Sequence, residues 1–148
     1  MKRLFLIAAA GVGAAWAAAA PGLAAPPPRA ALSGFVCQTS QDALSREVSV
    51  TAVMRPQLAT QRMQIRFQLF ERPGGSRSWR QVHGGDLGTW RHPSPPTLGQ
   101  EPGDKWQQIK QVADLVAPAL YRFRVTFRWE VSGGQVLSVL WSLRCSES

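Results

Sequence analysis

The chain has 148 residues, with 17 Lys and Arg against nine Asp and Glu, a hydrophobic share of 45% and only two cysteines. This length is typical of one domain and excludes a multidomain enzyme. The hydrophobic share argues against intrinsic disorder, and two cysteines are too few for a disulfide-dense miniprotein or a four-cysteine zinc site.

Residues 1–24 have the features of a secretory signal peptide. Lys2 and Arg3 precede an apolar run over residues 4–20, and small residues favour cleavage after Ala24. The alternative is an uncleaved anchor, although the run is short and consists mostly of Ala and Gly. We therefore expect a secreted protein of the extracellular space or cell envelope, with no stable membrane span after cleavage. Its 15 remaining basic and nine acidic side chains give a net charge of +6.

Residues 25–33 form a short proline-rich stretch, which we interpret as a linker. Proline has no backbone N–H and so cannot donate ladder hydrogen bonds, which favours an extended segment outside the domain. The folded domain is predicted to span residues 34–148. A chain of this size can bury enough surface to sustain one hydrophobic core.

Much of the domain alternates apolar and polar residues with the period of two that is typical of half-buried strands. The predicted strands are residues 47–54, 63–69, 77–82, 121–130 and 135–145. In the strand at 121–130 one face is aromatic and aliphatic, and the other face is largely arginine. The first face predicts a core and the second a surface exposed to solvent.

The last two strands are joined by Ser132, Gly133 and Gly134, which favour a tight hairpin. In the returning strand, the alternation of large apolar residues predicts that their side chains point to the core. The residues assigned to the core in this way are Leu137, Val139, Trp141, Leu143 and Cys145.

The segment between these strands and the first half of the domain is harder to assign. Residues 84–104 contain five Gly and four Pro and are predicted to form a loop with one short edge strand around Trp90. A loop this long is either a binding loop or a tolerated insertion. Residues 105–116 place apolar side chains at helical spacing behind Asp104, so a helix is an alternative, but we favour a strand over their second half.

A short motif around Tyr121 indicates one particular type of β-sandwich. Ala119, Tyr121 and Phe123 alternate at the start of the clearest strand, and Leu115 precedes the tyrosine by six residues. The pattern resembles the tyrosine corner of immunoglobulin and fibronectin type III domains. Phe123 stands where an antibody domain has its second cysteine, so the likeness is to fibronectin type III or bacterial immunoglobulin-like modules. The resemblance covers about residues 35–145 and implies an all-β, single antiparallel sandwich of about seven strands.

Cys37 and Cys145 lie at the two ends of this domain. We expect a disulfide between them, because an exported chain meets an oxidising compartment and the first and last strands of such a sandwich can run side by side. The alternative is a reactive or metal-binding thiol pair, but no CxxC motif and no histidine at ligand spacing accompanies either cysteine. We therefore predict no metal site and no cofactor.

The sequence contains few residues in arrangements that are typical of catalytic sites. Its only histidines are His83 and His92, and Asp86 lies three residues after the first. No nucleophile elbow, HExxH motif or phosphate-binding glycine loop is present. We expect no catalytic residues and therefore no enzyme, and His83 with Asp86 is the only pair that would merit mutation.

The strongest candidate for a binding surface is basic. If the strand at 63–69 neighbours the strand at 121–130, four arginines project together from one sheet face, flanked by Gln64 and Gln68. These arginines are Arg66, Arg122, Arg124 and Arg128. Guanidinium groups bind carboxylate and phosphate in a bidentate manner, so the expected partner is an acidic envelope polymer or an acidic protein. The alternative is a solvated face on which the arginine stems cover apolar surface.

Tryptophans give a second possibility. Trp79, Trp90 and Trp106 fall outside the two strongest strands and could stack on sugars, although such residues more often complete a core. We expect no nucleic-acid binding, because the basic residues are not interleaved with exposed aromatic residues and an exported protein rarely meets DNA or RNA. Three hypotheses remain: an interaction module, a structural domain without a small ligand, and, as the least favoured, an enzyme.

Overall fold

Two antiparallel sheets, joined by turns and loops, form the framework of the described part of the molecule. The computed structural model describes residues 21–148, so most of the predicted signal peptide lies outside the described residues. Within residues 21–148, no helix is long and apolar enough to cross a membrane. The strands are β1 (Ala30–Gln38), β2 (Glu47–Met54), β3 (Thr60–Pro73), β4 (Arg80–Val82), β5 (Trp90–Arg91), β6 (Trp106–Ala113), β7 (Ala119–Val131), β8 (Gly134–Trp141) and β9 (Cys145–Glu147). A single 3-10 turn, Ala43–Ser45, lies between β1 and β2.

The smaller sheet has the strand order β1-β2-β6, and the larger has the order β4-β3-β7-β8. The two shortest strands lie alongside this larger path, β5 against β3 and β9 against β7. The predicted all-β antiparallel sandwich is confirmed. The described residues contain nine strands rather than the expected seven or so. The two shortest, β5 and β9, span only two and three residues.

Strands β3 and β7 form the centre of the larger sheet and pair over almost their full length, from Thr60 opposite Val131 to Pro73 opposite Ala119. This confirms that the predicted strands at 63–69 and 121–130 are neighbours. Directly paired residues point to the same face of a sheet. The pairing therefore decides which side chains of the two strands meet on each face.

The core lies between the sheets and is built from alternate residues of three strands. Trp106, Leu115, Ala119 and Cys145 complete the core at its margins. The main buried set comprises Val48, Val50, Ala52 and Met54 on β2, Met63, Ile65, Phe67 and Leu69 on β3, and Tyr121, Phe123, Val125, Phe127 and Trp129 on β7. This is the set that the alternation predicts. The intervening residues of β3 and β7 consequently occupy the outer face of the larger sheet.

Residues 105–116 contain the strand β6 and no helix. It pairs with β2 from Trp106 opposite Met54 to Ala113 opposite Glu47, so the strand also begins earlier than predicted. Ile109, which completed the helical spacing, is 67% exposed. The apparent helical period therefore arose by chance in an edge strand with few apolar residues.

The first strand begins at Ala30, four residues before the predicted start of the domain at residue 34. Ala30 pairs with Met54, so the end of the proline-rich stretch already belongs to the smaller sheet. The last proline of that stretch is Pro28, and the residues after Arg29 have the backbone N–H groups that a ladder needs.

The orientation predicted for β8 is wrong. The two-residue turn after β7 sets Leu137 opposite Arg128 and Trp141 opposite Arg124, so these apolar side chains share the outer face with the arginines. The side chains concerned are about half exposed or more: Leu137 54%, Val139 49%, Trp141 45% and Leu143 71%. Of the predicted set, only Cys145 is buried.

The predicted disulfide is confirmed. Cys37 on β1 and Cys145 on β9 are bonded, with 5.3 Å between their Cα atoms. Since β1 and β9 belong to different sheets, the bond joins the two sheets. It also connects the beginning of the domain's sequence to its end.

Candidate functional site

The four predicted arginines lie together on the outer face of the larger sheet. Arg66 comes from β3, and Arg122, Arg124 and Arg128 come from alternate positions of β7. All four side chains are half-buried. The arrangement follows from the register, because β3 residues of the same phase stand opposite each β7 position.

Trp90 lies against two of these arginines. The strand β5 pairs with the edge of β3 and places Trp90 opposite Arg66. The guanidinium carbons of Arg66 and Arg128 lie 4.6 and 4.0 Å from the centroid of the Trp90 ring. These distances are those of cation–π contacts. The structure therefore brings Trp90 and the predicted arginines into one cluster.

The other two arginines contact aromatic rings at the opposite end of the face. Arg122 lies between Trp79 and Trp141, 4.3 and 4.2 Å from the two ring centroids. Arg124 lies 5.1 Å from Phe70 and 5.8 Å from Trp141. The arginine–aromatic face is therefore defined by Arg66, Arg72, Arg122, Arg124, Arg128, Phe70, Trp79, Trp90 and Trp141.

Two buried glutamines hold two of the four guanidinium groups in place, whereas the buried Nε atoms of Arg66 and Arg122 have no hydrogen-bond partner among the described residues. The Oε1 atom of Gln68 accepts hydrogen bonds from Nε and Nη2 of Arg124 at 3.0 and 2.8 Å. Gln64 accepts one from Nε of Arg128, and its amide nitrogen lies 3.1 Å from Nδ1 of His92. Amide oxygens orient a guanidinium without neutralising it, so the positive charges of the face are kept.

Carboxylates do not offset these charges. Among residues 21–148, the ion pairs are Arg46 with Glu147, Arg62 with Glu130, Arg80 with Glu71, and both Arg91 and Lys110 with Asp86. None of these pairs includes a predicted arginine of the face. The face therefore carries positive charge without a paired anion, and it belongs to a chain with a net positive charge.

Among residues 21–148, no hydrogen bond or ion pair joins His83 to Asp86. The Asp86 carboxylate accepts hydrogen bonds from Lys110 and Arg91, whereas His83 is exposed. The hydrogen bond from Lys110 is the main cause that lowers the pKa of Asp86 to about 2, against a raising effect of burial. Asp86 thus acts as the anion of an ion cluster that ties the loop to β5 and β6.

One group of potential metal ligands lies near the disulfide. The sulfur atoms of Cys37 and Cys145 and a carboxylate oxygen of Glu147 lie within 4.8 Å of one another. Both sulfurs are in the disulfide and supply no thiolate, which is the form that binds zinc. Burial raises the pKa of Glu147, and the nearby Arg46 acts in the opposite direction. This buried carboxylate is therefore part of the packing around the bond.

The sequence interpretation missed three aromatic members of the face: Phe70, Trp79 and Trp141. It stated that exposed aromatic residues do not interleave with the basic ones, but Trp141 is 45% exposed and contacts both Arg122 and Arg124. Phe70 follows Gln64, Arg66 and Gln68 in the same phase of β3, so the alternation already contained this signal. Trp106, in contrast, is buried in the core and is not available to a sugar.

No family model matches the chain, and no curated protein or solved structure is significantly similar to it. The function is therefore inferred from the geometry and charge of the site itself.

Proposed function

We propose that the protein is a secreted, non-catalytic interaction module of the extracellular space or cell envelope, which binds an acidic ligand through the arginine–aromatic face. The observation that carries the proposal is the set of four guanidinium groups on one sheet face, each in contact with an aromatic ring and free of carboxylate partners among the described residues. They belong to Arg66, Arg122, Arg124 and Arg128.

The contacts of the face favour binding of planar anions. Aromatic rings and glutamine oxygens restrict the rotation of the guanidinium groups before any ligand arrives, so less side-chain entropy is lost on binding. A guanidinium held in this way can donate two parallel hydrogen bonds to a carboxylate or phosphate. Acidic polymers of the envelope and acidic proteins both offer such groups.

Further features support an immunoglobulin-like or fibronectin type III-like module. The Tyr121 hydroxyl donates a hydrogen bond to the backbone oxygen of Val116 at 2.8 Å, the geometry of a tyrosine corner. Burial, with the negative charge of Glu71, raises the pKa of Tyr121 to about 12, so the hydroxyl keeps its proton. The disulfide is typical of proteins that fold in an oxidising compartment, which favours export.

The test measures binding of the disulfide-intact domain to isolated envelope fractions and to polyglutamate across a salt series. The variant R66Q/R124Q/R128Q removes three charges from the face. The matched control R29Q/R55Q/K105Q removes three charges at one end of the smaller sheet. We expect the first variant to bind at least about tenfold more weakly and the control to bind nearly as the wild type does, with salt weakening both.

Equal losses in the two variants would show that only net charge matters and would contradict a site on this face. Unfolding curves of both variants establish that any loss does not come from unfolding. A third variant, R66K/R124K/R128K, keeps the charge but not the planar group, and we expect it to bind less tightly than the wild type.

A structural domain without a small ligand is the second candidate. It is favoured by one observation, that the same guanidinium groups cover Trp90 and Trp79, which would otherwise be more exposed. Under this hypothesis R66Q/R124Q/R128Q lowers the free energy of unfolding while no acidic polymer binds the wild type.

A further inference from the structure

The sheet edges of the described domain differ in how they are protected against strand addition. β1 carries a bulge between Ser33 and Val36, β6 directs the charged Lys110 inward, and β4 is only three residues long and begins with Arg80. Bulges, inward charges and short charged edges are the usual devices that prevent a sheet from pairing with another chain. β8 has none of them.

β8 spans eight residues, Gly134–Trp141, and contains no charged residue and no proline. Among residues 21–148 it pairs only with β7, so the backbone N–H and C=O groups of its outer edge have no ladder partner. Leu137, Val139 and Trp141 stand beside this edge on the outer face and are about half exposed. An apolar and unprotected edge of this length is a ready template for a further strand.

The surroundings of the edge are also apolar at the end of β8. There a cleft of about 370 Å³ lies between β1 and the end of β8, lined in part by Leu32, Phe35, Trp141 and Leu143. A strand that extends beyond Trp141 would find apolar surface there on the side of the smaller sheet. The edge therefore offers both backbone hydrogen-bonding groups and contacts for side chains.

We propose that the β8 edge binds an extended segment of an acidic partner protein, which joins the larger sheet as an additional strand. This inference rests on the proposed function, since it assigns the acidic ligand to the class of polypeptides. Apolar side chains of the segment pack beside Leu137, Val139 and Trp141, and its carboxylates reach towards the arginine–aromatic face.

Strand spacing makes this reach feasible. Strands in a sheet lie about 4.8 Å apart, so the added strand would lie about 10 Å from β7. Val139 is the smallest of the three apolar residues on the outer face of β8 and stands opposite Thr126, between the positions of Arg124 and Arg128. A glutamate of the added strand and an arginine of β7 can both extend over Val139 from opposite sides, and together they span this distance.

Charge favours an acidic partner over a second copy of this chain. Two copies paired at β8 would form one continuous sheet and would place two arginine–aromatic faces side by side. With a net charge of +6 on each mature chain, this association is opposed by repulsion. β8 itself supplies no acidic residue that would offset it.

The experiment uses three probes on the disulfide-intact domain. The first is a peptide of about ten residues that alternates valine and glutamate, the second is the same peptide with all of its backbone nitrogens methylated, and the third is polyglutamate. Binding is measured by calorimetry, and amide hydrogen exchange locates the protected backbone. We expect the first peptide to protect amides within residues 134–141 and to bind at least about tenfold more tightly than the methylated one.

Variants of the edge separate this inference from the proposed function. L137S/V139S is expected to weaken binding of the alternating peptide about tenfold and to leave polyglutamate binding unchanged. The matched control L44S/L58S changes two exposed leucines outside the sheets and is expected to alter neither.

Any of four results would overturn the inference. Equal binding of the methylated peptide, or the absence of protection at β8, would exclude strand addition while polyglutamate binding still supported the proposed function. Self-association of the wild type in sedimentation, lost in V139K, would assign the edge to a second copy. Peptide binding that protects β8 but is unaffected by R66Q/R124Q/R128Q would exclude the acidic contact of the added strand, whereas the effect of the same variant on polyglutamate binding decides the proposed function separately.

Discussion

The two faces of β7 use the same alternation for different purposes. Phe123 and Phe127 on the inner face are fully buried and contact other aromatic rings, for example Phe127 and Trp129 with 6.3 Å between centroids. On the outer face Arg124 and Arg128 are half-buried and contact rings through their guanidinium groups. Both faces are therefore packed, but only the outer face combines packing with unpaired charge.

This difference separates the face that stabilises the fold from the face to which we assign the proposed recognition. Removal of apolar surface from water is the main favourable contribution to folding, and it is largest on the inner face. A cation–π contact at a partly exposed site contributes less, about 0.5–1 kcal/mol. The outer face can therefore be altered with little risk to the fold, which makes its role in binding testable.

The largest expected effect comes from the inner face. Phe127→Ala should lower the free energy of unfolding by about 3–5 kcal/mol, because it leaves a cavity in a tightly packed core. Arg128→Gln, at the next residue on the outer face, should lower the free energy of unfolding by about 1 kcal/mol or less. Urea unfolding curves of the two variants measure both values. Similar losses at the two positions would contradict the division of β7 into a stabilising and a binding face.

Trp90→Ala should have a smaller effect on folding and a clear effect on binding. The ring contacts both Arg66 and Arg128, so its loss removes two cation–π contacts, about 1–2 kcal/mol in total, and frees both guanidinium groups to rotate. We expect weaker binding of polyglutamate with little change in its salt dependence, since no charge is removed. The control Trp79→Ala tests the other end of the face. If Trp90→Ala binds polyglutamate as tightly as the wild type does, Trp90 does not position the arginines.

The sequence predicted the inner face well and the outer face only in part. Alternation on β2, β3 and β7 identified the core, because a strand that is buried on one side shows a period of two. It gave the wrong orientation for β8, in which Val136, Leu137, Val139 and Leu140 place apolar residues on both faces. Counting from the two-residue hairpin would have set Leu137 opposite Arg128, and turn geometry was thus a better guide than hydrophobicity there.

The contacts of the arginines could not be predicted in the same way. Trp90 and Trp79 reach the face from β5 and from the connection before β4, and their positions depend on the long loop and on tertiary packing. No local pattern specifies such long-range contacts. The disulfide was accessible to prediction because only one pairing of two cysteines is possible within the chain.

The smallest expected effect concerns the ion cluster at the side of the sandwich, which belongs to neither face. Asp86→Asn should lower the free energy of unfolding near neutral pH by about 1 kcal/mol or less, because the Asp86 side chain is 35% exposed and solvent screens its ion pairs. The folded pKa of Asp86 is about 2, below its ordinary value of 3.8, so its contribution is present above pH 4 and is lost as the pH falls towards 2. The difference between wild type and D86N in urea unfolding should therefore narrow over that range. A constant difference from pH 7 to pH 2 would show that Asp86 acts through packing rather than charge. Unchanged polyglutamate binding by D86N would then show that this ion cluster takes no part in ligand binding.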